Sequence, residues 1–321
     1  MSAAAIVLAI GAMLVVALPA SASSPLSNTN LHQVTLQVNG KGEALVTYRL
    51  PTGTWRHVLA WGAINANPPS AATPQVRFKY DYSGGWGKYH NARYWQTFEK
   101  SQCGAYDGPR LALFVTGCKA PDGSYWALQS WQRGLPLLGF KPWNASQTAY
   151  EMHLSHWTGD LAVLTVGVHW TYGHSAIGVF GQLLYQGKPV YGFKSTAEGN
   201  PLGRYERNVY IDTHNSVYGA GWWRESGILT HNPSGTFCHS FVPQKPFPGY
   251  PSKALRPAAP GDEYRFTVSG PGVTPVIQVT VPGLDKWHGT EDQVAAQALA
   301  QKVWDSTMVG DKRCAPENGS T

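Results

Sequence analysis

Charge is scarce in this chain: Asp, Glu, Lys and Arg together make up 14% of 321 residues. The lysines and arginines stand singly, with no basic run and no nucleic-acid fingerprint. The net charge of +6 therefore argues against nucleic acid as a partner, and suits either ordinary solubility or contact with an anionic envelope polymer. Cysteine is also sparse, four in all, and no two are spaced C-x-x-C. A zinc site built from paired ligands is thus not indicated. Apart from the N-terminus, no stretch is apolar enough to span a bilayer. Internal repeats and low-complexity tracts are absent, and only one segment has convincing helical periodicity. No cofactor is implied.

The N-terminus carries an apolar run from Ala3 to Leu18, then Pro19 and the small-residue site Ala20-Ser21-Ala22. That pattern predicts a secretory signal peptide over residues 1–22, cleaved after Ala22. The run is short of the ~20 residues a membrane span requires. No Lys or Arg precedes it, which points to a start further upstream. Export would place the four cysteines in an oxidising compartment, where an even number reads as disulfides. Cys103 and Cys118 flank a short loop and are expected to pair, leaving Cys238 to Cys314. Two other connectivities are open on sequence grounds.

The body of the chain reads as short strands separated by turns. Val34, Leu36 and Val38 alternate with polar residues, Asn39-Gly40-Lys41-Gly42 turns the chain, and Ala44, Val46 and Tyr48 resume the alternation. Asn-Gly between two such runs signals a hairpin. Residues 54–64 and 76–82 read as strands, 92–100 as a short helix, and 23–30 as a loose polar arm. From Tyr125, one strand face carries Tyr125, Ala127 and Trp131, and the other carries Trp126, Leu128 and Ser130. Strands follow at 150–157, 161–172, 179–185 and 190–194. Near the C-terminus, Thr290 and Gln293 form a capping box ahead of Val294, Ala298 and Leu299, predicting a helix that packs on the sheet.

The fold class expected is all-β, sandwich- or jelly-roll-like and mostly antiparallel, with one C-terminal α-helix. Two Pro- and Gly-rich stretches divide the chain. The organisation predicted is a signal peptide at 1–22, an N-terminal β-rich lobe at 23–145 and a C-terminal sandwich-like lobe at 146–321.

The densest stretch runs from Tyr205 to Phe241. Asn208, Tyr210 and Asp212 alternate with Val209 and Ile211 as on a half-buried strand. Residues 213–221 read as a loop, and Trp222 to Leu229 as a second strand. Phe237 and His239 share a face of a third.

The segments YDYSGGWGKY, APDGSYWALQSWQR, LSHWTGDLAVL, YIDTHNS and YGAGW resemble a family of secreted actinobacterial proteins to which no activity attaches. The likeness spans about Val76 to the C-terminus. It implies a secreted, β-rich protein and nothing about chemistry.

Three kinds of chemistry bear on these residues. Gly173-His174-Ser175-Ala176-Ile177-Gly178 resembles a nucleophile elbow, but Ile177 stands where the second glycine belongs. A hairpin pattern also follows where the elbow needs a helix. The histidines 153, 156, 169 and 174 cluster in sequence, and 214, 231 and 239 lie near the Trp pair. His153 and His156 are an odd number of residues apart and so point to opposite faces of a strand, which speaks against a metal. Asp212 and Glu225 border one loop and are the best candidate catalytic pair, since glycosidases set two carboxyl groups across a sugar ring. Ion pairs of Arg207 with Asp212 and of Arg224 with Glu225 are the plainer alternative. Trp86, Tyr210, Trp222, Trp223 and His239 are the candidate ligand-binding residues, because aromatic faces near glycine-rich turns suit sugar rings.

The function expected is a secreted, disulfide-stabilised β-protein that binds an extracellular or cell-envelope ligand, plausibly polysaccharide, without catalysis. A glycosidase using Asp212 and Glu225 is the alternative, and a structural envelope or adhesion protein a third reading.

Overall fold

The computed structural model describes residues 23–27, 31–64, 78–82, 94–134, 148–170, 176–190, 207–216, 219–225, 229–231, 236–240, 263–270, 277–282 and, near the C-terminus, 290, 291, 294, 295 and 298. These residues form mostly antiparallel β-sheets, as the alternation predicts.

The largest sheet has nine strands. Its main path uses β1 (Ser23–Ser27), β9 (Thr148–Trp157), β8 (Tyr125–Gly134), β14 (Gly219–Glu225), β13 (Asn208–Ser216), β17 (Glu263–Ser269) and β18 (Ile277–Pro282), in that spatial order. The short β6 (Gly104–Ala105) and β7 (Phe114–Lys119) join at β8. The edge of β8 away from β9 is shared. β7 occupies it from Tyr125 to Gln129, and β14 meets it at Gly134 in a parallel bridge to Trp223.

The four-stranded sheet runs β2 (His32–Val38), β3 (Glu43–Arg49), β4 (Trp55–Gly62) and β5 (Phe78–Tyr82). The five-stranded sheet contains β10 (Val163–Trp170), β11 (Ala176–Tyr185), β16 (Thr236–Ser240) and β15 (Leu229–His231), with β12 (Lys188–Pro189) alongside β11.

The hairpin β2–β3 forms where Asn-Gly predicts it. Asn39 Oδ1 accepts from the backbone N–H of Lys41 and of Glu43, each at 3.0 Å, and Gly42 takes a positive φ of 70° that a side chain would resist. One face of this sheet supplies Val38, Ala44, Val46, Val58 and Phe78, which pack with Trp126, Leu128, Met152 and Leu154 of the nine-stranded sheet. Two sheets closing on one apolar layer is a sandwich. The disulfide Cys103–Cys118 forms as expected, with Cα atoms 5.5 Å apart, and both cysteines belong to this layer.

Three expectations need correction. The polar arm at 23–30 is in part a strand: β1 pairs antiparallel with β9, Ser23 opposite Ser155. An edge strand needs backbone partners rather than an apolar face, and Leu26 of SSPLS is buried. Pro25 is compatible with such an edge. The helix at 92–100 is reduced to a 3-10 turn, Tyr94–Gln96. There Trp95 and Phe98 pack onto the four-stranded sheet, and that contact overrides local propensity. The loop at 213–221 shrinks, because β13 continues to Ser216 and β14 begins at Gly219. Most of the expected C-terminal helix lies outside the described residues. Val294 N–H donates to Thr290 O at 2.9 Å, as in a helical turn, and Val294, expected to face the sheet, is 50% exposed.

The division at 145/146 falls between β8 and β9, which pair from Tyr125–Trp157 to Gly134–Thr148. One sheet therefore runs across that point. Cys238 sits in β16 opposite Phe180 and Thr230. Cys314, and so its pairing with Cys238, lies outside the described residues.

Candidate functional site

Period-two alternation decides what β13, β14 and β17 bring together. Asp212 stands opposite Arg224 of β14 on one side and Arg265 of β17 on the other. All three are buried. Arg224 Nε donates to Asp212 Oδ1 at 2.6 Å, and Arg265 Nη2 and Nε donate to Oδ2 at 2.8 and 3.2 Å. Arg265 Nη2 also donates to the Gln132 carbonyl at 2.9 Å. Arg224 Nη2 reaches past β8 to Glu151 Oε1 of β9 at 2.9 Å, and Glu151 Oε2 lies 3.2 Å from His153 Nε2. Two carboxylates and two guanidiniums thus balance in charge along one face of the sheet. Burial works against the charge on Arg224, but Asp212 and then Glu151 outweigh it and hold the guanidinium pKa above its ordinary value.

Aromatic rings lie over these cations. The Arg224 guanidinium sits 4.1 Å from the Tyr210 ring centre, and that of Arg265 sits 4.2 Å from the Trp222 ring. Such contacts are worth about 0.5–2 kcal/mol each, more when water is excluded. His214 tilts against Trp222 with centroids 4.9 Å apart. Tyr210, His214 and Trp222 are all half-buried, so their rings stay in part accessible above a buried ionic floor.

The expected catalytic pair does not assemble. Asp212 is opposite Arg224, so position 225, the next along β14, falls on the other face of the sheet, opposite Ile211. Both Asp212 oxygens are engaged by arginine. Arg224 is a partner of Asp212. The Trp pair divides in the same way: Trp222 shares a face with Asp212, whereas Trp223 lies on the reverse face and donates from Nε1 to Ala220 O at 3.0 Å. His239 belongs to β16 in the five-stranded sheet, opposite Val179 and Leu229. Trp86 and the side chains of Glu225 and His239 lie outside the described residues.

His153 and His156 do take opposite faces of β9. His153 stacks on Trp131 with centroids 4.6 Å apart, and His156 on Trp126 at 3.9 Å. Among the described residues no group of three or more His, Cys, Asp or Glu is placed to hold a metal ion. No helix among them is long and apolar enough to cross a membrane.

Glu151 and Arg265 are the members that sequence reasoning missed. Their signal was a charged or polar residue at every second position of a strand with bulky apolar neighbours. That pattern reads as a solvent face until the partners, 53 to 73 residues away, are known. Comparison of the chain with known protein families, with curated proteins and with solved structures finds no match.

Proposed function

We propose that this is an exported β-sheet protein that binds an extracellular or cell-envelope polysaccharide without catalysing its breakdown. The observation that carries the reading is the pair of half-buried rings, Tyr210 and Trp222, each backed on one side by a buried guanidinium. A ring held rigidly in that way offers a sugar its face at little entropic cost. The carboxylates on the same side, Asp212 and Glu151, are committed to arginine and histidine, which favours binding over acid–base chemistry. Export fits the predicted cleavage after Ala22, since Ser23 is the first residue of β1, and it fits the resemblance to secreted actinobacterial proteins.

The test is a glycan array probed with the oxidised protein and with Trp222→Ala and Tyr210→Ala. Retention of a defined glycan class by the wild type, lost or weakened about tenfold in the variants, is the expected result. Identical profiles for all three proteins would remove these rings from the site. Turnover of any bound glycan would overturn the non-catalytic reading.

A further inference from the structure

A second aromatic surface lies on the other side of the molecule's sandwich layer. In β4, Trp55, His57, Leu59 and Trp61 share the face of the four-stranded sheet that points away from the apolar layer. At ~3.3 Å per residue, Trp55 and Trp61 stand about 20 Å apart along the strand. The segment after the 3-10 turn lays two further rings on the same face. Trp95 stacks on His57 with centroids 4.2 Å apart and planes 3° from parallel, and Phe98 packs with Trp61 against Leu45 and Leu59. Trp55, at 47% exposure, is the most exposed indole among the described residues; His57, Trp61, Trp95 and Phe98 are half-buried.

The chemistry of this face is uneven in a telling way. Its aliphatic groups, Leu45 and Leu59, are buried beneath the rings. Solvent therefore meets ring faces rather than a continuous aliphatic patch of the kind a protein partner covers. Beside the rings stand hydrogen-bonding groups, among them two exposed cations, Arg49 opposite Trp55 and Lys79 opposite Trp61. Thr47 Oγ1 lies 3.0 Å from His57 Nδ1, fixing the imidazole, and Thr35 and Gln37 of β2 are exposed. Burial lowers the His57 pKa, which keeps the ring neutral at pH 7. Ring faces take the C–H side of a pyranose, and hydroxyl and amide groups at the rim take its hydroxyls.

We propose that this outer face of β4, with Trp55, Trp61 and the Trp95–His57 stack, is a separate binding surface for an extended polysaccharide strand lying along β4. The inference rests on the glycan-binding reading above but concerns different residues on a different sheet. Two such surfaces on one chain would hold a polymer at two points and raise its apparent affinity.

The test is co-sedimentation of the full, oxidised protein with cellulose, with chitin and with insoluble xylan. Wild type, Trp55→Ala, Trp55→Phe, Trp95→Ala and Trp222→Ala would be compared, and near-UV circular dichroism would check each fold. Trp55 is exposed, so its removal leaves the core intact. The expected result is about a tenfold loss of partitioning onto one of these polymers in Trp55→Ala and in Trp95→Ala. Trp55→Phe should recover most of that loss, and Trp222→Ala should retain the residual binding. Binding lost in Trp222→Ala but unchanged in Trp55→Ala and Trp95→Ala would overturn this surface and leave the first intact. A wild type that sediments with none of the three polymers would overturn it as well; the glycan array then decides the first site by itself.

Discussion

Asp212 and Arg224 face each other across β13 and β14, with Nε 2.6 Å from Oδ1, and both are buried. A buried pair of this kind gains little over an apolar pair of the same shape, because desolvation offsets most of the attraction. Breaking it from one side is another matter, since a charge is then left without its partner. Asp212→Asn leaves Arg224 with Glu151 as its carboxylate partner and takes from Arg265 the carboxylate it holds. The expected cost is about 3–5 kcal/mol in urea unfolding. Asp212→Leu combined with Arg224→Met should cost less than the sum of the two single changes, by about 1 kcal/mol or more. Strict additivity would show that the two side chains do not interact.

The same pair explains how far the sequence could be read. Alternation placed Tyr210 and Asp212 on one face of β13, and Tyr125 and Trp131 on one face of β8, as the structure has them. The Asn-Gly hairpin and the short-loop disulfide were legible because each depends on residues close in the chain. The pairing of Asp212 with Glu225 fails on the segment between them. The Asn, Ser and Gly of 213–221 read as a loop, whereas β13 and β14 continue almost to the turn. Strand parity then sends position 225 to the reverse face. What could not be read at all was that β14 abuts β8 and that Arg224 reaches Glu151. Those contacts depend on which strand edges meet, and no periodicity encodes that.

His156 gives the protein a pH dependence whose sign follows from its contacts. Its Nδ1 lies 3.0 Å from the Gly62 carbonyl, so the neutral ring carries its proton there, and Nε2 lies 2.8 Å from Ser124 Oγ. The Ser124 hydroxyl donates to Asp122 Oδ1 at 2.6 Å and has one proton for two acceptors. Protonating His156 would resolve that competition. Burial nevertheless dominates and lowers the His156 pKa from the ordinary 6.5, against the opposing pull of the Gly62 and Ala63 backbone and of Asp122. The unfolded chain therefore takes up a proton more readily than the folded one. Stability is full above about pH 6.5 and falls as pH drops towards the lowered value. Melting temperature followed from about pH 7 to about pH 5 should fall less steeply in His156→Gln than in wild type. Parallel curves would show that His156 does not contribute.

The Cys103–Cys118 bridge closes a loop of 15 residues beside the sandwich layer. By the chain-entropy argument it contributes about 3 kcal/mol. The double variant Cys103→Ala, Cys118→Ala should lose roughly that much in urea unfolding while keeping a β-type circular dichroism spectrum. An unchanged midpoint would place the stability of this layer entirely in its apolar packing.

Gly181 tests the packing of the five-stranded sheet. It lies in β11 between β10 and β16, opposite Val166 and Phe237. A Cβ built there would press on the Thr165 carbonyl oxygen and come within 2.6 Å of the buried Phe237 ring. The carbonyl is backbone in a paired strand and cannot yield without disturbing the ladder. The ring has no exposed side to turn toward. Gly181→Ala should therefore cost about 1–3 kcal/mol, as overpacking does elsewhere. This would occur even though alanine suits a strand better than glycine. Gly104→Ala is the control, because its Cβ would meet only the Lys119 carbonyl at an ordinary 3.6 Å, and it should change stability by no more than about 0.5 kcal/mol. Equal effects from the two substitutions in urea unfolding would mean that β10, β11 and β16 are less tightly apposed than their register implies.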